Sequence, residues 1–278
     1  MDNALVSDRQ VAETKTWLRW WRVMFPLALL VVFGSWAVTS PVGSSPDDDY
    51  HLSSIWCAGG ERSGVCEVVE DEPQALAVPE SVGVAHECFA FQPAVTAACT
   101  ERLTETLVPT ERVNNRQGLY PSSFYRVMNV FVGDDPQRSV LMMRLFNAIV
   151  FVALLAVALT VLEPAIRSAV AVTTAVVLVP LGLFIIPSTN PSSWTVTGVV
   201  FVWAFGLALA QQTSWRSQRT WRLAVATCLS AFLAIGSRVD ASAFVALAVI
   251  VVFVLTGWTK ARASWISFVV LLVLATIG

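Results

Sequence analysis

Three consecutive carboxylates, Asp47, Asp48 and Asp49, with His51 close behind, form the densest set of proton-transfer groups in the chain. An ionised aspartate can accept the proton of an attacking hydroxyl, so any one of the three is a candidate catalytic base. Arg238, two residues before Asp240, is a candidate substrate-binding cation, since a fixed positive charge can oppose negative charge that develops in a reaction. Each group also has a plainer reading. Ser45 can cap a helix with Pro46 at its first position and Asp48 closing a capping box, and acids in a first turn complement the helix dipole. Arg238 and Asp240 can be a structural pair at a helix turn. Arg144 sits one turn inside an apolar run, where it either snorkels to the headgroups or binds an anionic group of a substrate. His51 stands at helical spacing from Asp47 and Asp48, but one histidine beside acids is a weak metal motif. The reading therefore assigns no metal and no cofactor, a divalent ion being the one addition these residue types permit. Tyr120, Tyr125 and Arg126 suggest a short helix lying on a bilayer, or the wall of an acceptor groove.

These residues have to be positioned by elements that the composition identifies as membrane spans. The chain has 278 residues, of which 55% are hydrophobic and 14% charged, against about 25% charged in soluble domains. The charges are also segregated: residues 25–42, 145–162 and 241–259 carry none. A hydrocarbon core about 30 Å thick needs about 20 apolar residues per helix. The expected architecture is all-α and polytopic, with about seven transmembrane helices at residues 25–42, 140–162, 168–187, 192–210, 222–237, 241–257 and 264–278. Residues 1–24 form a cytoplasmic and interfacial N-terminus that ends in a collar of Lys15, Trp17, Arg19, Trp20, Trp21 and Arg22. A cleavable signal peptide is the competing reading, but further spans follow and no small-residue cleavage site precedes Ser40. The run at 264–278 ends without a polar flank, and a longer protein is expected.

Between the first two spans, residues 43–139 form a mixed loop domain with fifteen acidic residues and six arginines. Short connections carrying Arg167, then Arg216, Arg219 and Arg222, then Lys260 and Arg262 alternate with connections that carry only Arg238. Short basic loops resist translocation, so the N-terminus is assigned to the cytoplasm of an integral plasma-membrane protein and the loop domain to the outer face. Cys57, Cys66, Cys88 and Cys99 all fall in that domain. An even thiol count in an oxidising compartment suggests disulfides, and of three possible pairings the local ones, Cys57 with Cys66 and Cys88 with Cys99, are favoured over free buried thiols. Cys228, alone in a span, reads as a packing residue. The acid excess argues against nucleic acid as a partner.

The segment from Ser40 to His51, SPVGSSPDDDYH, followed by Ser54-Ile55-Trp56-Cys57, resembles an actinobacterial family of predicted membrane proteins of unknown function, which in turn resembles the GT-C glycosyltransferases. The likeness continues through Tyr120 to Tyr125, Arg144-Leu145, Asn190-Pro191-Ser192 and Ser237-Arg238-Val239-Asp240. It implies a GT-C-like fold in which an acid at the start of the first long outer loop is the base. The implied donor is a sugar on a polyprenyl phosphate within the membrane lipid, and the acceptor is a cell-envelope glycan. Carried onto this chain, the base is Asp47, Asp48 or Asp49, and Arg238, Asp240, His51, Tyr120 and Arg144 are the substrate-binding candidates. Family members often have Asp-Glu where this chain has Asp48-Asp49, which leaves the choice of base open. The transferase reading expects one of the acids to face a cavity lined by Arg238. The alternative is a non-enzymatic transporter or assembly subunit whose outer domain binds a partner; spans almost free of ionisable residues, with polar groups gathered at the outer surface, favour surface chemistry or recognition over transport.

Overall fold

A computed structural model describes residues 2–257 except 114, 116, 117, 213 and 215. The expected seventh span, with Trp258, Lys260 and Arg262, lies outside the described residues. The chain begins with one long helix, α1 (Asp2–Thr39), which continues the first span back through the basic collar without a break. The segment after it holds the short helix α2 (Asp48–Trp56), strands β1 (Glu67–Val68) and β2 (Leu76–Pro79), the single turn α3 (Glu80–Gly83), strand β3 (Leu107–Thr110) and helix α4 (Ser122–Asn129). The remaining helices are α5 (Pro136–Val161), α6 (Pro164–Val177), α7 (Leu183–Ile185), α8 (Ser192–Ala210), α9 (Gln218–Ile235) and α10 (Ala241–Thr256).

Among the described residues three helices are long and apolar enough to cross a membrane: Trp20–Thr39, Pro136–Val161 and Ser192–Ala210. Pro164–Val176 and Ala241–Thr256 are apolar but shorter. The third expected span is interrupted for a local reason. Pro180 lacks the backbone donor that would continue α6, and the chain passes through a π-helical turn at Leu178–Gly182 before the brief α7. Large apolar side chains such as Val31, Val38, Val172, Leu181, Val225 and Val254 point outward from these helices, a surface suited to lipid rather than water.

The helices are held by aromatic and small residues. Phe33 of α1 meets Phe151 of α5 edge to face at 5.7 Å, and Phe151 meets Phe201 of α8 at 5.5 Å. Where α8 crosses α9, Gly198 lets the backbones approach closely, and Thr227 and Ser230 satisfy their hydroxyls on their own helix at Leu223 O and Ala226 O, both at 2.7 Å.

The domain at 43–139 is not a separate lobe. Leu52, Ile55, Trp56, Val78, Val82, Phe124 and Met128 pack into the same core as Phe33, Met143 and Phe151. Its sheet is antiparallel in the order β1-β2-β3, with Val78 opposite Val108 and Pro109 on the edge strand, where a missing N–H is tolerated. Disulfides join Cys57 to Cys66 and Cys88 to Cys99, as the local pairing expected. Asn129 ties α4 to the end of α2 by donating to Ile55 O at 2.8 Å and Trp56 O at 3.1 Å.

Candidate functional site

The three adjacent aspartates have three different environments, because the helix that carries them starts later than the capping pattern suggests. Helix α2 begins at Asp48, and Asp47 precedes it in the left-handed region at φ 58°. Only half of the expected capping box forms: the Asp48 carboxylate accepts from Ser45 N at 3.0 Å, while the Ser45 hydroxyl is used elsewhere. The abrupt left-handed turn at Asp47 sends the three side chains in different directions.

Asp48 is buried completely and has no room for a substrate. Arg144 Nη2 donates to its Oδ2 at 3.1 Å, and the Thr189 hydroxyl donates to Oδ1. Arg144, itself 1% exposed, also donates to Ser40 O, to Pro41 O at 2.9 Å and to Ser45 Oγ at 3.1 Å. The snorkelling expected of Arg144 is thus replaced by a buried pair that locks the end of α1, the start of α2 and the body of α5 together. Burial pushes the Asp48 carboxyl above its ordinary range, against the opposing pull of Arg144, Thr189 and the Ser45 amide. Asp49 is half-buried and pairs with the exposed Arg112.

Asp47 is the acid left exposed. Asn190 Nδ2 donates to Asp47 Oδ2 at 3.2 Å and to Pro46 O at 2.9 Å, which fixes the carboxylate without covering it. Asn190 is set in turn by its own loop, since its Oδ1 accepts from Ser192 N at 2.8 Å at the start of α8. Beneath that loop, Asn147 of α5 donates to Ser188 O at 2.7 Å and accepts from Trp194 Nε1 at 2.8 Å. These partners were not among the sequence candidates. Asn147, a polar side chain within an apolar span, was the signal available for this network.

Arg238 is close enough to Asp47 for the two charges to attract. It also forms a two-pronged pair with Asp240, at 2.9 and 3.1 Å, and lies over the Tyr120 ring at 5.7 Å. That pair holds Arg238 above its ordinary pKa and Asp240 below. The turn carrying Arg238 is anchored to α8 by a 2.8 Å hydrogen bond between Thr195 and Ser237. Tyr120 belongs to a group of rings with Tyr50, His51 and Tyr125, at centroid distances of 5.1 to 6.3 Å. Asp47, Arg238, Asp240, Tyr120 and His51 therefore meet in one region, whereas Arg144 lies buried behind it.

His51 shares a 2.8 Å hydrogen bond with the Tyr125 hydroxyl. Burial, aided by Arg238, lowers its pKa from 6.5 to about 3, so the ring is neutral at neutral pH. Among the described residues no three His, Cys, Asp or Glu side chains converge as metal ligands. Because His51 protonates more readily in the unfolded chain, its contribution to stability is present above about pH 6.5 and is lost as pH falls toward 3. Thermal unfolding of the detergent-solubilised chain should therefore lose up to about 1.4 kcal/mol of stability per pH unit through this window on account of one proton. His51→Gln should flatten the profile by that amount, and superimposable profiles would rule the assignment out.

Two of the cavities among the described residues bear on the site. One, of about 330 Å³, lies between α2, α4 and the sheet and is lined by Ser54, Asn115, Tyr125 and Arg126 among others. The other, of about 290 Å³, is an almost wholly apolar groove among Phe151, Val170, Leu178, Val200 and Trp203. Neither is lined by Asp47 or Arg238. Neither the curated proteins nor the solved structures contain a match to this chain. The sequence from residue 30, midway along the first apolar span, through 278 does match a family model, described as predicted membrane protein (DUF2142), and it covers the whole Asp47, Arg144 and Arg238 arrangement. The chain belongs to the DUF2142 family of predicted membrane proteins.

Proposed function

We propose that the protein is a GT-C-like glycosyltransferase that moves a sugar from a polyprenyl-phosphate donor to a cell-envelope glycan, with Asp47 as the base. The observation that carries this reading is the division of labour among the acids. Asp48 is consumed by Arg144 and Thr189 and Asp49 by Arg112, while Asp47 stays accessible, held by Asn190 in the field of Arg238. In the proposed reaction, Asp47 takes the proton of the acceptor hydroxyl as its oxygen bonds to the anomeric carbon. The bond to the donor phosphate breaks, and Arg238 stabilises the departing phosphate. Asp240 positions Arg238, and the apolar groove beside Phe151 and Trp203 takes part of the prenyl chain.

The reading also requires that residues 43–139 lie outside the cell. Arg167 and Arg219, at the N-terminal ends of α6 and α9, lie near Arg22 of α1, and this gathering of arginines suits the cytoplasmic face. Both disulfides suit the oxidising side.

The test is transfer from a panel of polyprenyl-phosphate pentoses and hexoses in proteoliposomes, with protein abundance measured in parallel. Asp47→Asn should reduce turnover by at least about 100-fold at normal abundance, and Asp49→Asn should change it little. Absence of transfer from every donor by the parent protein would sink the transferase reading, and undiminished transfer by a well-expressed Asp47→Asn protein would remove Asp47 as the base.

A further inference from the structure

The 330 Å³ cavity between α2, α4 and the sheet has a lining that is part polar and part apolar, and it has no role in the chemistry assigned to Asp47. Its size falls at the lower end of the range for small-molecule sites, about 300 to 1,000 Å³, which suits one or two sugar rings. Its wall combines two hydroxyls, Ser54 and Ser122, the amide residue Asn115, the Tyr125 side chain, and the opposite charges of Glu61 and Arg126. Glu61 and Arg126 are exposed and have no ion-pair partner among the described residues. A carboxylate that accepts and a guanidinium that donates, each through two atoms, match the vicinal hydroxyls of a carbohydrate. The frame is fixed: the Cys57–Cys66 disulfide forms part of the wall, and Asn115 is held by its backbone N–H to Ser54 Oγ at 3.2 Å and by its Oδ1 from Tyr120 N at 2.9 Å.

The cavity also adjoins the Asp47 region. Tyr125 lines it, bonds through its hydroxyl to His51, and has its ring 6.3 Å from that of Tyr120, over which Arg238 lies. A carbohydrate seated in the cavity is thus separated from the reacting region by the thickness of these rings. We infer that this cavity is a carbohydrate-binding subsite for one or two sugar units of the acceptor glycan, beyond the unit that reacts. The inference rests on the transferase reading for the word acceptor, but sugar binding itself can be measured without any turnover.

Saturation-transfer NMR on the full chain in detergent tests it with glucose, galactose, mannose, arabinose and N-acetylglucosamine, and with maltose, cellobiose, lactose and diacetylchitobiose. Dialanine serves as the peptide probe. At least one saccharide should give a signal that Ala58→Trp, which fills the cavity, reduces tenfold or more. Arg126→Gln, at an exposed position where a substitution should cost little stability, should weaken it several-fold. Asp47→Asn should bind the same saccharide as the parent does. If no saccharide in the set gives a signal sensitive to both cavity variants, or if dialanine alone does, the inference is overturned. Saccharide binding by a parent chain that transfers sugar from none of the donors would leave the subsite standing and remove the transferase reading. Loss of transfer in Asp47→Asn without saccharide binding would do the reverse.

Discussion

Asp48→Asn should destabilise the protein by about 3 to 5 kcal/mol in detergent unfolding, and Arg144→Met by a similar amount. Each change leaves the other partner without its counter-charge where neither is more than 1% exposed. Arg144 would keep its acceptors at Ser40 O, Pro41 O and Ser45 Oγ but lose its counter-charge. Asp48 would keep Thr189 and the Ser45 amide, which do not compensate for a missing cation. The double replacement Asp48→Leu with Arg144→Met should recover most of the loss, because an apolar pair costs no desolvation. By contrast, Asp49→Asn breaks a pair in which Arg112 is 52% exposed, and it should cost less than about 1 kcal/mol. A cycle in which Asp48→Asn alone changes stability by less than about 1 kcal/mol would mean that the pair carries no such load. The consequence for function is indirect but definite. Arg144 fixes the turn from Ser40 to Asp48, and that turn sets the left-handed backbone from which Asp47 projects.

The membrane character was legible because it depends on runs of one property. Apolar segments and their charged flanks are additive, and α8 and α10 begin where the sequence places them. The interruption of α6 after Val177 was less legible, since Pro180 within an apolar run is tolerated or not according to what surrounds it. The local disulfides could be read from spacing. At the site, the sequence identified Asp47, Asp48, Asp49, Arg144 and Arg238 but could not sort them. Their roles depend on contacts between positions 96 to 143 residues apart, Asp48 with Arg144 and Thr189, and Asp47 with Asn190. A side chain's partner at that separation leaves no periodic trace. Asn190 accepts from Ser192 N at the start of α8 through its amide oxygen, while its amide nitrogen is used at Asp47.

Gly198→Val should disrupt the α8–α9 contact and cost at least about 3 kcal/mol, the upper part of the usual range for overpacking. A β-carbon at Gly198 would press on Ser230 O, lie 2.6 Å from Ala234 N and lie 2.8 Å from Ala234 Cβ, so it meets backbone and has no flexible side chain to displace. Gly206, two turns further along α8, makes the control: its β-carbon would meet only Val252 Cγ2 at 3.9 Å, and Gly206→Ala should be neutral or mildly stabilising. The two variants separate the general effect of adding a side chain to α8 from the close approach at one position. The damage should reach the site as well, because the α8–α9 spacing fixes where the Arg238 turn sits relative to the Asn190 loop. Thr195 and Ser237 bridge those two segments at 2.8 Å, and Arg238 reaches Ser192 Oγ at 3.5 Å. Pushing α9 away from α8 would withdraw Arg238 from Asp47, so any Gly198→Val protein that still inserts should lose transfer in proportion to its lost stability. Equal thermal unfolding of the Gly198→Val and Gly206→Ala proteins would show that the helices are not packed as closely as this arrangement requires.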